Sequence, residues 1–523
     1  MKLINSLTYA AVFGTALTLQ AQVAPAQQKL NPTIESFVSE IKNNNQLEKI
    51  SHELLDGIGP RLVGSPQMDQ AADWAIKTFN SWGINSRRED YGTWKAWERG
   101  LTHVDMTYPR AKNIEATQLA WSPATKKAIN AEVIAMPVFT TEAEFKAWLP
   151  KVKGKIVLMS QNQRYGRSDY QYKEFGTEEL YDKVTTQRKA DNDAWANSIK
   201  VTGHNNNTLP VVLEQNGAAA VAISYWTGIM GANRIFGAKT KNIPMIDISN
   251  EDYGMLYRLA ENGTTPKITL NAQSKHNGVA KTYNVVGEIK GTEKPNEYII
   301  LSAHFDSWDG AQGATDNGTG TVAMMEAIRT IKKLYPNNKR TILICLWGSE
   351  EQGLNGSRAF VEDHPEIVKN TQAVFNLDNG TGRVVNINGS GFKESYEYMT
   401  RWLAGAPNEV TKHIKTDYPG LPSGGGSDHS SFVAAGIPGF MLSSLNWGYG
   451  TYTWHTNKDT YDKIVFEEIQ SNAILAASLV YMADQEETLV NRDRRVLPNG
   501  RDGKQMEWPE VKGPARTSDA YFK

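Results

Sequence analysis

Continuous apolar runs in the second half of the chain predict strands that are buried on both faces of a sheet. The runs occupy residues 298–301, 341–347, 373–377 and 439–442. Between the first two, apolar residues recur at the spacing of one helix face, at Val322, Met325, Ile328, Ile331 and Leu334. Strands that alternate with helices indicate a mostly parallel sheet covered on both sides. We therefore predict an α/β fold with a mostly parallel, mixed sheet and helices on both faces.

The chain before residue 112 predicts a loop, a helix and a strand that extend this α/β unit. Residues 59–66 are rich in Gly and Pro, which favours a rigid turn. Helical spacing follows at Ala72, Ala75, Ile76 and Phe79. Residues 89–106 show the alternation and the aromatic content of a strand.

Between residues 112 and 280 the pattern changes to short apolar runs separated by turns. Residues 156–159 and 218–223 both follow turns and predict buried strands. The polar stretch over residues 164–208 predicts a surface insertion or a lid. The region contains no cluster of metal-ligand residue types, so we expect it to serve binding or gating rather than chemistry.

The length of the chain supports a division into two folded units. A chain of 523 residues exceeds the roughly 250 to 300 residues at which single cores stop growing. We predict one unit formed by residues 27–111 and 281–490, interrupted by a smaller β-rich domain at residues 112–280. Residues 491–523 are rich in charge, Pro and Gly, and they predict an extended tail.

The first residues predict an export signal. Lys2 precedes a mostly apolar stretch over residues 3–19, which ends in small residues around Ala21. We expect a signal peptide over residues 1–21, or over residues 1–26, and a periplasmic or secreted protein. The alternative is an uncleaved amphipathic helix. No later run is apolar enough for a membrane span, which takes about 20 apolar residues.

Composition excludes several classes of partner and cofactor. The 56 basic and 57 acidic residues give a formal net charge of -1, so the chain has no basic field for nucleic acid or for an acidic membrane surface. The single cysteine, Cys345, excludes an intramolecular disulfide, a thiolate zinc site and an iron–sulfur cluster, because each needs several thiols. A metal would therefore be held by His, Asp and Glu.

Residues of the types that bind metal ions follow the predicted strands and lie in two loops. They are His304, Asp306, Asp316, Glu350, Glu351, Asp378 and His455. Each alone has an ordinary explanation, since a carboxylate can cap a helix or shape a turn and a histidine can pack against aromatic neighbours. The carboxyl ends of parallel strands, however, meet at one edge of a sheet. One shared site therefore explains the set better than separate coincidences.

At these positions the sequence resembles the zinc exopeptidase family that includes bacterial leucyl aminopeptidase, glutamate carboxypeptidase and carboxypeptidase Q. The motifs that carry the likeness occur in the family's order: IGPRLVGSP, HFDSWDGAQGATDNGTG, WGSEEQGLNGS, FNLDNG, SDHSSFVAAGIP and HTNKDT. The carboxypeptidase Q type is the most similar, because Ser307, Trp308 and Asp309 follow the first His-x-Asp and the insertion is large. The insertion resembles the protease-associated domain in KGKIVLM, NGAAAVAIS and NIPMIDIS. A phosphorylase/hydrolase-like fold is implied.

The resemblance implies a site with two zinc ions. His304 and Asp378 would bind one ion, and Glu351 and His455 would bind the other. Asp316 would bridge both. Two metal ions roughly 3.5 to 4 Å apart repel each other, and a shared carboxylate offsets that repulsion. Such ions also lower the pKa of a water molecule that lies between them.

The resemblance also implies roles for two further carboxylates. Glu350 would be the general base, which takes a proton from the attacking water and passes it to the leaving amine. Asp306 would accept the free ring N–H of His304 and so fix its tautomer.

Two nearby features fall outside this set. Asp428 and His429 form another Asp-His pair, which we expect to line the site without binding metal, because the five ligands are already assigned. Trp454 precedes the last ligand, where related aminopeptidases often have Tyr. A tyrosine hydroxyl there would polarise the scissile carbonyl, so this stabilisation must come from elsewhere, such as the zinc ions.

The leading hypothesis is an exported dizinc exopeptidase that acts on dipeptides or short peptides. One alternative is a non-enzymatic receptor or binding protein of the transferrin-receptor type, which would lack the metal ligands. Another is a dizinc hydrolase of a different amide or ester. The direction of cleavage stays open, because the groups that bind a free amine or a free carboxylate come from loops. A homodimer follows from the resemblance only.

Overall fold

The computed structural model describes residues 28–522, so the predicted signal peptide lies outside the described residues. The chain before the insertion forms α1 (Pro32–Asn44), α2 (Leu47–Ser51), α3 (Pro66–Ser81) and β1 (Asn85–Tyr108). Helix α3 begins at a strong start signal, because Ser65 accepts the N–H of Met68 and Pro66 occupies the first helical position. Its apolar face is buried, as the helical spacing predicts.

The region between residues 112 and 280 combines short strands with helices. In chain order the elements are β2 (Lys112–Asn113), β3 (Ala116–Gln118), β4 (Ile129–Ala135), α4 (Glu142–Trp148), β5 (Ile156–Leu158), α5 (Asp169–Phe175), α6 (Glu178–Val201), α7 (Leu209–Gln215), β6 (Ala220–Ile223), β7 (Met245–Ile248), α8 (Asn250–Glu261) and β8 (Lys267–Ile289). Strands β4, β5, β6 and β7 pair in parallel, and β3 pairs antiparallel with β7. The polar stretch at 164–208 contains helices α5 and α6.

The second half of the chain alternates strands and helices. The elements are β9 (Lys294–His304), α9 (Thr319–Leu334), β10 (Arg340–Trp347), α10 (Asn355–Asp363), α11 (Pro365–Lys369), β11 (Thr371–Asn376), β12 (Val384–Asn388), α12 (Ser395–Gly405), α13 (Asn408–Thr411), β13 (Lys415–Asp417), α14 (His429–Ala434), β14 (Gly439–Met441), β15 (Ser443–Ser444), α15 (Phe466–Gln485) and α16 (Asp519–Phe522). Strands β14, β11, β9 and β10 are parallel neighbours, and β8 is antiparallel to β10. The predicted mostly parallel, mixed sheet is confirmed.

Strands β1 and β8 connect the two parts of the molecule. They pair antiparallel from Asn85 opposite Glu288 to Tyr108 opposite Lys267. At one end β8 pairs with β10, and at the other end it pairs with β4. The predicted boundary at residue 280 falls inside β8, so a continuous strand rather than a loose linker joins the insertion to the α/β unit.

Separate apolar clusters lie on the two faces of the main sheet and in the insertion. One face packs against α1, α3, α9 and α15, and the other packs against α10 and α14. Every residue of β10 is buried, as expected of a strand covered on both sides. The insertion has two clusters of its own. Among residues 28–522, no helix has the length and apolar character that crossing a bilayer requires.

The predicted tail packs along the surface of the α/β unit up to the last described residue. Trp508 lies edge-on against Phe392, with ring centroids 5.5 Å apart, and donates its indole N–H to the Val433 carbonyl at 3.0 Å. The backbone N–H of Thr93 in β1 donates to the carbonyl of Arg516 at 2.8 Å. The tail is therefore anchored at several places.

Candidate metal centre

Three neighbouring parallel strands carry candidate ligands to one edge of the sheet. Strand β9 ends at His304, the loop after β10 carries Glu350 and Glu351, and Asp378 follows β11. Because β9 lies between β10 and β11, strand pairing brings these side chains together. This is the place where open α/β sheets collect their functional groups.

Two groups of possible ligands meet at Asp316. In the first, His304 Nε2 lies 3.0 Å from Asp378 Oδ1 and 3.2 Å from Asp316 Oδ1. In the second, His455 Nε2 lies 2.9 Å from Glu351 Oε2 and 3.3 Å from Asp316 Oδ2. The ligand atoms of each group lie within 4.8 Å of one another. Each oxygen of Asp316 faces a different imidazole, as a carboxylate shared by two cations would.

The buried carboxylates at this centre are of the kind that bound cations would compensate. Loss of hydration, together with the charges of neighbouring carboxylates, raises the pKa values of Glu350 and Glu351 well above their usual range. Among the described residues, neither Asp316 Oδ2 nor Glu351 Oε1 has a hydrogen-bond partner. Carboxylates desolvated in this way are stable only when a cation or a donor compensates them. The imidazole and carboxylate donors fit zinc, which takes nitrogen and oxygen ligands of these types.

The backbone of Asp306, and not its carboxylate, orients His304. His304 Nδ1 lies 2.9 Å from the Asp306 carbonyl oxygen and 3.8 Å from its carboxylate Oδ1. Because a carbonyl oxygen only accepts, Nδ1 carries the proton, and the lone pair of Nε2 faces the first ligand group. The predicted interaction between the Asp306 carboxylate and the His304 ring is therefore replaced by one from the main chain.

The Asp306 carboxylate instead holds the loop of the candidate general base. It accepts the backbone N–H of Glu350 at 3.0 Å and that of Glu351 at 3.3 Å. On the other side of the loop, the Tyr91 hydroxyl donates to the Gly348 carbonyl at 2.8 Å and lies 2.9 Å from the Ser349 hydroxyl. These contacts fix the turn at Ser349, which has a φ of 56° in the left-handed region.

Asp459 positions Asp316, the carboxylate that both ligand groups share, and sequence reasoning did not assign it a role. Its carboxylate accepts the N–H of Thr315 at 2.8 Å, the hydroxyl of Thr315 at 2.8 Å and the N–H of Asp316 at 3.0 Å. Burial raises the pKa of Asp459 to about 7. The residue stands four positions after His455 in the HTNKDT motif, and that proximity was the available signal.

Arg61 supports the same loops from inside the fold and was also missed. Its guanidinium is fully buried and donates to the carbonyl oxygens of Gly59, Phe305, Gln312 and Gly313. Burial lowers its pKa to about 10. Because its donors are committed to the main chain between His304 and Asp316, we assign Arg61 to the shape of the centre and not to substrate binding.

The insertion contacts the loop of the last ligand. The N–H of Ile235 donates to the His455 carbonyl at 2.7 Å. The rings of Phe236 and Trp308 lie 5.2 and 6.1 Å from the His455 ring. The position of His455 therefore depends on residues from both parts of the molecule.

The residue before this ligand stacks on it. The Trp454 ring lies 4.0 Å from the His455 ring at an angle of 26°, and the Arg234 guanidinium lies 5.0 Å from the Trp454 ring.

A tyrosine hydroxyl reaches the centre from another position, Tyr449, which the sequence did not identify. Burial opposes ionisation of Asp316, but the neighbouring His304, His455 and Tyr449 side chains hold its pKa below the usual value.

Asp428 and His429 lie at the start of α14, outside both ligand groups. Both residues are buried. Burial raises the pKa of Asp428 to about 7 and lowers that of His429 to about 4. The expectation that they line the site without binding metal stays a prediction.

Comparisons with known proteins identify relatives of the chain. Residues 284–480 match the model of Peptidase family M28. Carboxypeptidase Q of Rattus norvegicus is 28% identical over 440 residues, which cover 83% of this chain and 85% of that protein. Aminopeptidase YwaD of Bacillus subtilis (strain 168) is 26% identical over 505 residues, which cover 93% of this chain and 95% of that protein.

Solved structures share the fold. A Peptidase M28 precursor from Shewanella amazonensis SB2B superposes with a TM-score of 0.64 at 23% identity, covering 89% of this chain and 98% of that one. BSAP, a zinc aminopeptidase from Bacillus subtilis, gives a TM-score of 0.53 at 20% identity and covers 87% and 95% of the two chains.

The predicted fold class and the predicted resemblance are thus confirmed, and the comparisons support a zinc exopeptidase. More particularly, its segment 284–480 matches the model of peptidase family M28. The candidate ligands form two groups that share Asp316, whereas the receptor alternative would lack them.

Proposed function

We propose that the protein is an exported dizinc exopeptidase that hydrolyses the terminal peptide bond of dipeptides or short peptides. The observation that carries this proposal is the arrangement of two ligand groups around one shared carboxylate, Asp316. Each group contains one imidazole and one carboxylate besides Asp316. The names of the relatives, a carboxypeptidase and an aminopeptidase, support peptide substrates cleaved at a terminus.

In this proposal His304 and Asp378 would hold one zinc ion, Glu351 and His455 would hold the second, and Asp316 would contribute to both sites. When bound, two such ions lower the pKa of the attacking water and polarise the scissile carbonyl. The side chains of these five residues would fix where the two ions lie. The His304 tautomer is set by the Asp306 carbonyl, so its Nε2 lone pair is available to a metal ion without a prior proton shift.

Glu350 is the general base in this proposal. It belongs to neither ligand group but precedes the ligand Glu351, and its backbone is fixed by the Asp306 carboxylate. From this position its carboxylate takes a proton from the attacking water and returns it to the amine of the leaving group. Proton transfer by a positioned side chain contributes roughly 10²- to 10⁴-fold to a rate.

The variant Glu350→Gln tests this role. It keeps the side-chain volume and removes the base, so kcat should fall by roughly 10²- to 10⁴-fold while zinc analysis still finds two ions per chain. Glu366→Gln, at an exposed position of α11, is the matched control and should keep wild-type kcat. Near-wild-type turnover in Glu350→Gln would contradict the assignment.

The direction of cleavage and the preferred substrate length are tested on one panel of peptides. Aminoacyl amides report an aminopeptidase, N-blocked dipeptides report a carboxypeptidase, and turnover of free dipeptides alone reports a dipeptidase. The contacts of Ile235 and Phe236 with His455 support a cleft narrowed by the insertion, so kcat/KM should decrease as peptides lengthen. No turnover of any member would contradict the exopeptidase proposal.

The domain division and the export remain parts of the proposal. Residues 27–111 and 281–490 would form the catalytic domain, residues 112–280 the protease-associated insertion and residues 491–523 the tail. The separate apolar clusters of the insertion support this division. Mass spectrometry of the exported protein would test cleavage after residue 21 or 26, and light scattering would test the homodimer.

A further inference from the structure

The tail approaches the loop of Glu350 and Glu351 through a segment that we call the strap, residues 515–522. The N–H of Ala515 donates to Asn355 Oδ1 at 2.7 Å. The other side-chain atom of Asn355, Nδ2, donates to the Gln352 carbonyl at 3.3 Å. The strap is therefore linked through one side chain to the residue that directly follows Glu351.

The strap also holds the strand on the other side of this loop. The N–H of Thr93 donates to the Arg516 carbonyl at 2.8 Å, and Arg516 Nη1 donates to the Tyr91 carbonyl at 3.0 Å. Gly92 lies between them, and a Cβ at this position would collide with the Arg516 carbonyl. The Tyr91 hydroxyl in turn contacts Gly348 and Ser349. The loop is thus held from both ends by residues that the strap contacts.

The end of the strap completes an aromatic cluster between the insertion and the α/β unit. The Tyr521 ring lies 5.7 Å from the rings of Trp94 and Trp121, and the Phe522 ring lies 5.3 Å from Trp121. Trp121 lies 5.9 Å from Trp308. Since Trp308 packs against His455, the strap supports the second imidazole through two tryptophan rings.

The two ligand groups differ in their relation to the strap. His304 is the last residue of β9 and pairs with Trp347 of β10, and Asp378 follows the end of β11 by two positions. Glu351 and His455 lie on loops, and both loops are braced by the strap or by its neighbours. Burial, together with the smaller effect of the Glu351 charge, raises the pKa of Tyr521 to about 12. This effect of Glu351 agrees with a strap that ends close to the second ligand group.

We propose that the strap is a positioning element for the second metal site, formed by Asp316, Glu351 and His455, and not for the first. The inference rests on the proposed dizinc function. Removing the strap contacts should weaken one zinc ion and leave the other bound. Changes in residues that orient metal ligands cost roughly 10- to 100-fold in metal affinity, and we expect about tenfold here, because the strap acts through intermediate residues.

The experiment compares zinc content in the wild type and in Tyr521→Ala/Phe522→Ala. Full-length proteins loaded with zinc are dialysed against graded concentrations of a weak chelator, and zinc per chain is measured. The double variant should release its first equivalent at about tenfold lower chelator concentration and its second at the wild-type concentration. Trp508→Ala is the matched control, because it removes a large aromatic side chain of the same tail whose partners, Phe392 and Val433, lie outside the cluster. It should release zinc as the wild type does.

Three outcomes would overturn the inference. They are a release curve unchanged in the double variant, equal weakening of both equivalents, and the same selective loss in Trp508→Ala. A wild type that binds fewer than two zinc ions would instead contradict the proposed function itself. If circular dichroism shows that the double variant does not fold, Tyr521→Leu/Phe522→Leu keeps apolar volume at both positions and removes the ring contacts with Trp94 and Trp121.

Discussion

Asp306→Asn separates two roles that one residue could have at this centre. The variant keeps the backbone carbonyl that faces His304 Nδ1 and keeps the side-chain volume. It changes the carboxylate that accepts the N–H groups of Glu350 and Glu351. An asparagine side chain has one acceptor oxygen, so one of the two N–H groups would meet an NH₂ group instead. The structure therefore predicts that the variant disturbs the loop of Glu350 and leaves the orientation of His304 unchanged.

The size of the effect follows from the hydrogen bond that is lost. A hydrogen bond to a charged group contributes about 1.5 to 3 kcal/mol. If the whole loss appears in the barrier to hydrolysis, each 1.36 kcal/mol corresponds to a factor of ten. We therefore expect kcat to decrease by about 10- to 100-fold, with a smaller change in KM, because the loop carries the proposed base.

The assay measures kcat, KM and zinc content on the same preparations of wild type and Asp306→Asn. Zinc content at saturating metal should be the same in both proteins. An Asp306→Asn variant that loses the zinc ion of the first group, and regains wild-type kcat when excess zinc is supplied, would refute the reasoning. That result would mean that the carboxylate acts on His304 after all, as the resemblance to the family implied.

Two further predictions concern other buried carboxylates. Asp459→Asn removes one of the acceptor oxygens that hold Thr315 and Asp316. The affinity for zinc, measured by competition with a chelator, should therefore fall about tenfold. Unchanged affinity would contradict a role for Asp459 in positioning Asp316. Asp247 is buried in the insertion, and burial raises its pKa to about 8, above the ordinary value of about 3.9 in an unfolded chain. Its contribution to stability is therefore complete below pH ~4 and is lost as the pH rises towards 8. Between pH 5 and 8, the unfolding free energy of the wild type should decrease by on the order of a few kcal/mol relative to that of Asp247→Asn. Urea denaturation of both proteins at both pH values measures this decrease. A difference between the two proteins that does not change with pH would contradict the prediction.

The sheet and most of the candidate ligands could be predicted because strand order alone brings them together. A run such as residues 341–347 is fully apolar, and the structure buries every residue of β10. The ligand types follow such runs directly in the sequence. Once β9, β10 and β11 pair as parallel neighbours, His304, Glu351 and Asp378 share one edge without any further information.

The residues that hold the ligands in place could not be predicted in the same way. Arg61 donates to carbonyl oxygens of Gln312 and Gly313, which lie 251 and 252 residues away. Main-chain acceptors leave no trace in the sequence, because every residue offers the same main-chain carbonyl whatever its side chain is. Tyr449 likewise reaches Asp316 from a turn whose path depends on the fold.

The motif His304-x-Asp306 illustrates why a pattern of residue types does not fix the interaction between them. The two side chains would be close whether the ring N–H met the carboxylate or the main chain, so the pattern alone fits both. In the structure the carbonyl of Asp306 orients His304 while its carboxylate holds Glu350 and Glu351. One residue thus connects a ligand of the first group, a ligand of the second group and the proposed base. A shift of this residue would disturb all three, so the placement of His304 relative to Glu350 and Glu351 depends on both the carbonyl and the carboxylate of Asp306.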